Sequence, residues 1–405
     1  MCRKLPTGLT GGESGYVIGD SEGFMEHRLA LVILNMLPGV GPVRKRLLES
    51  ALGSAEAAFG VSEGSLARIP GIGERAASAV AHWRDHCDPD DELRLASRCG
   101  VRLVLEEDSE YPPLLREIHD PPICLYVRGD SRALAGTERS VAVVGSRNCT
   151  GYGRRMAGRL AFEAGGFCWP VISGLARGID TEAHEGTLRA GGCTVAVIGC
   201  GLSCIYPQEN IPLAMRIGDS GGAVVSEFPM RCRADRRTFP MRNRIISGIA
   251  AGTIVVEAGL KSGSLITASQ ALEQNRTVFA VPGPADSFAS QGCNALIRDG
   301  AVLITCFRDV VDEFSGLPGL ARTGSAPPRA ASPMPSRPVS LDGLEKKLWE
   351  LIRGGCTDMD ALIAASGEDP ACVSAAFLTL ELKRLVRRMP GRRLMVLPEA
   401  TGHGA

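Results

Sequence analysis

Three short stretches of this sequence each combine glycines, hydroxyls and a cation. "GSRNCTGYG" supplies Gly145, Ser146, Arg147 and Thr150, and "GLARGIDTEAH" sets Gly174 and Gly178 on either side of Arg177. "AGLKSGSLIT" puts Lys261 beside Ser262, Gly263 and Ser264. Glycine lets backbone N–H groups approach an anion closely, and a helix start just beyond adds its positive end. One such loop is weak evidence; three on one edge point to a ligand that carries phosphate. A fourth stretch, "RCRADRRTFPMRNR" at 231–244, holds six arginines against Asp235, with Phe239 its lone aromatic. Its local charge, six minus one, is hidden by a formal net charge of zero for the whole chain. Charge balance alone therefore does not exclude nucleic acid as a partner.

These loops need a sheet to hold them. Between 100 and 315 short apolar runs alternate with segments of helical length: "ICLYV" (123–127), "SVAVVG" (140–145), "PVIS" (170–173), "TVAVIG" (194–199), "AVVSE" (223–227), "TIVVE" (253–257), "TVFAV" (277–281) and "AVLIT" (301–305). Runs that are apolar throughout suit strands buried on both faces of a parallel sheet, and helices between them make a doubly wound α/β domain. Ligands of such sheets bind beyond the C-terminal strand ends, where each Gly-rich loop falls. The arginine-rich stretch lies between the strand ending at Glu227 and a helix expected to begin near Arg242, so it should overhang the same edge.

Other segments flank this domain. Residues 1–24 are Gly-rich and aperiodic, as expected of a mobile tail. Residues 25–90 are helical and hold a near repeat, "LPGVG" at Leu37–Gly41 and "IPGIG" at Ile69–Gly73. Each suits the turn of a helix-hairpin-helix, which serves either as a phosphate contact or as a plain corner packed on the next domain. Residues 316–340 are rich in Pro, Ser, Ala and Gly and read as a linker. Beyond it, 341–398 shows three helices, the second with Thr357 as its expected cap, and a hairpin turning at Pro390-Gly391: a winged helix. Its third helix and wing carry Lys383, Arg384, Arg387, Arg388, Arg392 and Arg393, which suit duplex DNA, a protein contact or a solvated face.

Several function classes drop out. No apolar run approaches the length of a membrane span, and the first residues lack the apolar core of a signal peptide, so a cytoplasmic protein is expected. Fourteen scattered cysteines then read as reduced thiols. Cys200 and Cys204 have the wrong spacing for a zinc knuckle, and His82, His86 and Cys87 look like a chance cluster, so no metal is expected. "GCGLSC" has Cys204 where the third glycine of a dinucleotide fingerprint belongs, and no "GxxxxGK[ST]" occurs, so no cofactor is expected. No catalytic triad stands out. Asp180 reads as a possible helix cap, with His184 one turn on held by it. Of 45 basic residues only six are lysine, which a GC-rich genome explains in large part.

Four longer stretches, "AVVGSRNCTGYGRRMAGRLA", "VISGLARGIDTEAHEGTLRAGGCTVAVIGCGLSCIYPQEN", "FPMRNRIISGIAAGTIVVEAGLKSGSLITASQALEQNRTVFAVPG" and "SQGCNALIRDGA", closely resemble the DNA-processing protein A (DprA/Smf) family across about 110–310. The resemblance implies an extended Rossmann-like doubly wound, mainly parallel sheet, with a small N-terminal helical (helix-hairpin-helix or SAM-like) domain and a C-terminal winged helix. It implies a homodimer, not an enzyme, that binds single-stranded DNA and loads the RecA recombinase during natural transformation. Gly145, Ser146, Arg147, Thr150, Arg177, Phe239, Arg242, Asn243, Arg244 and Lys261 would then line or approach the DNA groove. The family's loop before "FPxRNR" is usually Gly/Pro-rich, whereas here it is arginine-rich. Related Rossmann-like proteins hydrolyse nucleoside monophosphates, which gives the alternative: Glu257 polarising a ribose while Gly263 and Ser264 hold phosphate.

Overall fold

In the computed structural model, the described residues are 25–315 and, apart from 355, 357, 384 and 389–393, residues 341–396. The expected tail (1–24) and linker (316–340) lie outside them. The chain divides into two units, one within 1–327 and one within 328–405.

The first unit is built on a nine-stranded sheet. Its strands are β1 (Val101–Leu105), β2 (Cys124–Gly129), β3 (Val141–Val144), β4 (Val171–Ser173), β5 (Thr194–Val197), β6 (Ala223–Ser226), β7 (Gly252–Val255), β8 (Thr277–Ala280) and β9 (Val302–Leu303). They are ordered β1-β2-β6-β5-β4-β3-β7-β8-β9. From β6 to β9 every pairing is parallel, while β1 and β2 add an antiparallel edge. All eight strands expected from the sequence are present. β1 escaped notice because its pattern, buried only in part, lacks a continuous apolar run.

Alternation along the strands divides the core. Ala142, Val144, Val195 and Val197 face one layer, with Ile245, Ile246 and Ala268 of the helices Thr238–Ile249 and Gly263–Glu273. Val141 and Val143 face the other, with Ala157, Leu160 and Ala183 of the helices Gly151–Gly166 and Ile179–Arg189. This is the period-two pattern of a sheet covered on both sides.

The N-terminal repeat does form two hairpins. Helix His27–Met36 turns into Pro42–Leu52, and Glu63–Ala67 into Gly73–Ala81. Gly39 and Gly71 take positive φ in the two turns, +79° and +89°, a conformation that side chains with a Cβ rarely adopt. The hairpins do not enclose a core of their own. Leu34, Leu37, Leu48 and Leu66 belong to one apolar cluster with Tyr126, Ala196, Ile198 and Val224 of the sheet region.

In the second unit, helices Gly343–Arg353, Met359–Ser366 and Pro370–Leu382 precede the antiparallel pair Val386–Arg388 and Leu394–Val396, a winged helix. Asp358 caps the second helix, accepting the N–H groups of Asp360 and Ala361; Thr357, the expected cap, lies outside the described residues. Helix Pro370–Leu382 contains no Lys or Arg, and Ala371, Ala375 and Leu378 on it are exposed. Lys383 pairs with Glu345 at 2.6 Å. Arg384, Arg392, Arg393 and the side chains of Arg387 and Arg388 lie outside the described residues.

Candidate nucleic-acid interface

Four parallel strands standing side by side send their following segments to one place. Beyond β3 comes Arg147, beyond β4 Gly174, Ala176 and Arg177, beyond β5 Tyr206 and Pro207, and beyond β6 Phe239 and Arg242; together they line a single pocket. Three guanidinium groups and two aromatic rings thus meet at the C-terminal sheet edge. Five of the eight lining residues were expected from sequence. Tyr206 was missed although "CIYPQEN" places it after a strand; it is 43 % exposed, and its ring lies 6.2 Å from that of Phe239. The Arg147 guanidinium lies over the Phe239 ring, 4.7 Å from its centre.

The helix carrying Phe239 and Arg242 is Thr238–Ile249, so it starts four residues earlier than the sequence suggested. Pro240 is tolerated because first-turn N–H groups have no helical partner to lose. The earlier start places Arg242 and Arg244 inside the helix, about 200° apart around it. Arg242 points to the pocket and Arg244 does not. The Arg244 guanidinium lies between Asp120, 3.1 Å from Nε, and Glu227, and the residue is buried. The expectation that Arg244 lines the groove is therefore corrected: its charge is already matched inside the fold.

Arg242 is different. It is only 4 % exposed, no ion pair matches it among the described residues, and its Nε has no hydrogen-bond partner. Burial pushes its pKa down to about 10, against the pull of Asp180, so it stays charged at neutral pH. A buried, directly unpaired guanidinium is costly unless an anion completes it. Arg177 is half exposed and pairs with Glu209.

The Gly174–Gly178 turn is shaped for this approach. A Cβ on Gly174 would collide with the Arg242 guanidinium, and one on Gly178, where φ is +78°, would strike the carbonyl oxygens of Ser146 and Arg147. Asp180 is not the helix cap. It accepts the N–H groups of Gly174 and Ala176 at 3.1 and 3.3 Å. His184 is not held by Asp180 either: its Nδ1 lies 2.7 Å from the Thr194 hydroxyl.

Other expected site residues serve the frame. The sheet reverses its winding between β3 and β7, where doubly wound folds open a ligand crevice. Here that position holds the Glu257 carboxylate, which accepts both the N–H and the hydroxyl of Thr150 at 2.7 Å. Ser146 donates its N–H to the Glu257 carbonyl at 2.7 Å. A side chain on Gly145 would press against Ile179 and that same carbonyl. An internal carboxylate thus occupies the helix start where a nucleotide phosphate would sit, which disfavours Glu257 as a free catalytic acid. Ser262 caps Gly263–Glu273 through Ser264 N–H, and their hydroxyls lie 2.7 Å apart. Lys261 is exposed beyond β7, on the side of β3 away from the pocket. Asn243 is half-buried and does not line the pocket. Among the described residues no His/Cys/Asp/Glu cluster suits a metal, and no single helix is long and apolar enough to cross a membrane.

In the arginine-rich stretch, Arg231 pairs with Asp91 and Arg237 with Asp235. Arg233 and Arg236 are exposed, with no ion pair among the described residues. Thr238 anchors the segment by donating to the Gly199 carbonyl at 2.6 Å.

A doubly wound, mainly parallel sheet with a cationic, aromatic pocket at its strand ends, followed by a winged helix, defines a Rossmann-like protein with a C-terminal winged helix. The chain belongs to the DNA-processing protein A (DprA/Smf) family. Residues 102–315 match the family described as DNA recombination-mediator protein A, and 330–392 match the DprA winged helix domain. The chain is 32 % identical to Protein Smf of Synechocystis over 89 % of its own length and 96 % of that protein. It is 40 % identical to Protein Smf of Escherichia coli over 71 % of its length and 76 % of that protein. The X-ray structure of DNA processing protein A from Streptococcus pneumoniae superposes with a TM-score of 0.60 at 34 % identity, covering 71 % of this chain and 97 % of that one.

Proposed function

We propose that the pocket is the grip of a single-stranded DNA-binding protein, one that protects incoming DNA and loads RecA recombinase onto it during natural transformation, acting as a homodimer without catalysis. The observation that carries the reading is Arg242, buried, without a direct ion pair among the described residues and with its Nε unsatisfied, opening into a pocket with Arg147, Arg177, Phe239 and Tyr206. Sequence-independent single-strand binders combine cations for the backbone with a few aromatic faces for the bases, and this pocket has both. Gly145, Ser146, Thr150, Gly174 and Gly178 shape its loops. Lys261, with Ser262, Gly263 and Ser264, offers a neighbouring cationic loop for the strand as it leaves.

The test is anisotropy titration of a thymidine oligomer and a duplex of equal length across salt. The single strand should bind more tightly, and Arg242→Ala should weaken it while reducing the salt slope by roughly 0.7, the share of one phosphate on a single strand. Equal affinity for duplex, or an unchanged Arg242→Ala, overturns the assignment. For the mediator role, the protein should shorten the lag of RecA filament growth on single strands. The hydrolase alternative is checked by assaying base release from nucleoside monophosphates, where none is expected.

A further inference from the structure

Arg242 has a partner at one remove. Asp180 is 6 % exposed; it accepts the Gly174 and Ala176 N–H groups. Arg242 packs against the same glycine. A Cβ on Gly174 would strike the Arg242 guanidinium and lie 2.7 Å from Asp180 Oδ2. The two charges therefore face each other across the space a Cβ on Gly174 would fill and attract without a direct ion pair. Other groups near Asp180 are Arg147, from the loop beyond β3, and the two amides of the loop beyond β4. His184, one turn along the same helix, bonds to Thr194 and is held neutral by burial.

We propose that Asp180 is a positioning residue for the pocket, fixing the Gly174–Gly178 turn and Arg242, and that phosphate entry is coupled to uptake of one proton by its carboxylate. The inference rests on the single-strand reading above. A DNA phosphate arriving at Arg242 brings a second anion near a buried carboxylate, and like charges disfavour the ionised form. The proton comes from solvent and adds to the carboxylate, and the phosphodiester keeps its charge. Burial already lifts the Asp180 pKa from 3.8 to about 6, against the pull of Arg242, so any further rise falls in the neutral range. Affinity should therefore climb as pH falls towards 6 and level off below it, where the free protein is already protonated. Each pH unit by which phosphate raises the carboxyl pKa gives about a tenfold gain.

The experiment titrates full-length protein with a thymidine oligomer, whose bases do not titrate in this range, from pH 5.5 to 8.5 at fixed ionic strength. Wild type should tighten as pH falls. Calorimetry in buffers of different ionisation enthalpy should count up to one proton taken up near neutrality. Asp180→Asn keeps an oxygen for the amides but takes up no proton, so its affinity should be flat with pH. Asp180→Ala should bind weakly at every pH, and the Asn variant should restore what Ala loses. Wild-type binding that is flat with pH and releases or takes up no proton overturns the coupling alone. An Ala variant equal to the Asn variant overturns the positioning role. No binding by wild type at any pH overturns the single-strand reading and the coupling together.

Discussion

Arg147 lays its guanidinium over the ring of Phe239, 4.7 Å from the centroid, so the cation and the aromatic expected to serve different parts of a nucleotide are already in contact. Such contacts contribute about 0.5–1 kcal/mol at exposed sites. A base stacking on Phe239 must share that ring with Arg147, and the two side chains should act as one unit.

A double-mutant cycle tests this. Phe239→Ala alone should lose the ~1–3 kcal/mol of one stacked base with little change in salt slope. Arg147→Ala alone should lower affinity and flatten the slope. The double variant should fall short of the sum by about 0.5–1 kcal/mol, as touching residues do. Strict additivity would separate the two roles.

Gly174→Ala should disable the pocket without unfolding the sheet. The new methyl meets the tips of Arg242 and Asp180, which are movable side chains rather than backbone. Arg242 must swing away, so single-strand affinity should drop with a salt slope lower by roughly 0.7, that of one lost phosphate. An unchanged slope with an intact melting transition would show that Arg242 makes no phosphate contact.

Arg244→Ala should act on stability. The guanidinium is buried between Asp120 and Glu227, and its removal leaves Glu227 without its counter-charge. Breaking a buried pair by removing one partner costs about 3–5 kcal/mol. Chemical denaturation should show that loss, while the salt slope of DNA binding by the folded fraction should match wild type. A variant as stable as wild type would contradict the ion-pair assignment.

His184 should make the fold sensitive to acid. Burial pushes its pKa from 6.5 down to about 3. Below pH 6.5 the unfolded chain binds a proton that the folded one refuses, so stability falls with pH by up to ~1.4 kcal/mol per unit. Asp180 works in the opposite sense between about 6 and 3.8, because there the folded state holds the extra proton. His184→Gln should therefore lose less stability than wild type between pH 6.5 and 5, read from urea midpoints. Parallel profiles for the two proteins would remove His184 as the cause.

A chain ending at residue 327 should fold and keep its single-strand affinity. The division into two units falls there, and the pocket draws every lining residue from the first. Helix Pro370–Leu382 brings no Lys or Arg of its own to a DNA backbone. Loss of most of the affinity in anisotropy titrations would assign the grip to both units.

Much of this was legible in the residues themselves. Apolar runs such as "SVAVV" and "TIVVE" are buried on both faces and so announce themselves as inner strands; β1, half-buried at the edge, does not. The Gly-rich loops suggested an anion site; of the three, Arg147 and the Gly174–Arg177 turn reach the pocket, whereas Thr150 is engaged by Glu257 and Lys261 lies on the far side of β3. Sequence could not separate Arg242 from Arg244, two residues apart in the same "MRNR". Only the helix phase, fixed by a start at Thr238, turns one to the pocket and the other to Glu227 and Asp120. Nor could it show that Thr150 caps a helix onto Glu257, more than a hundred residues away, and so closes the crevice a nucleotide would use. Asp180 looked like a local cap, whereas the fold sets it against Gly174 together with Arg242. Local patterns determined which residues build strands, turns and helices, because backbone preference and side-chain burial act over a few residues. Which charges meet was left to the sheet order, since Coulomb attraction and desolvation depend on distance in space and not along the chain.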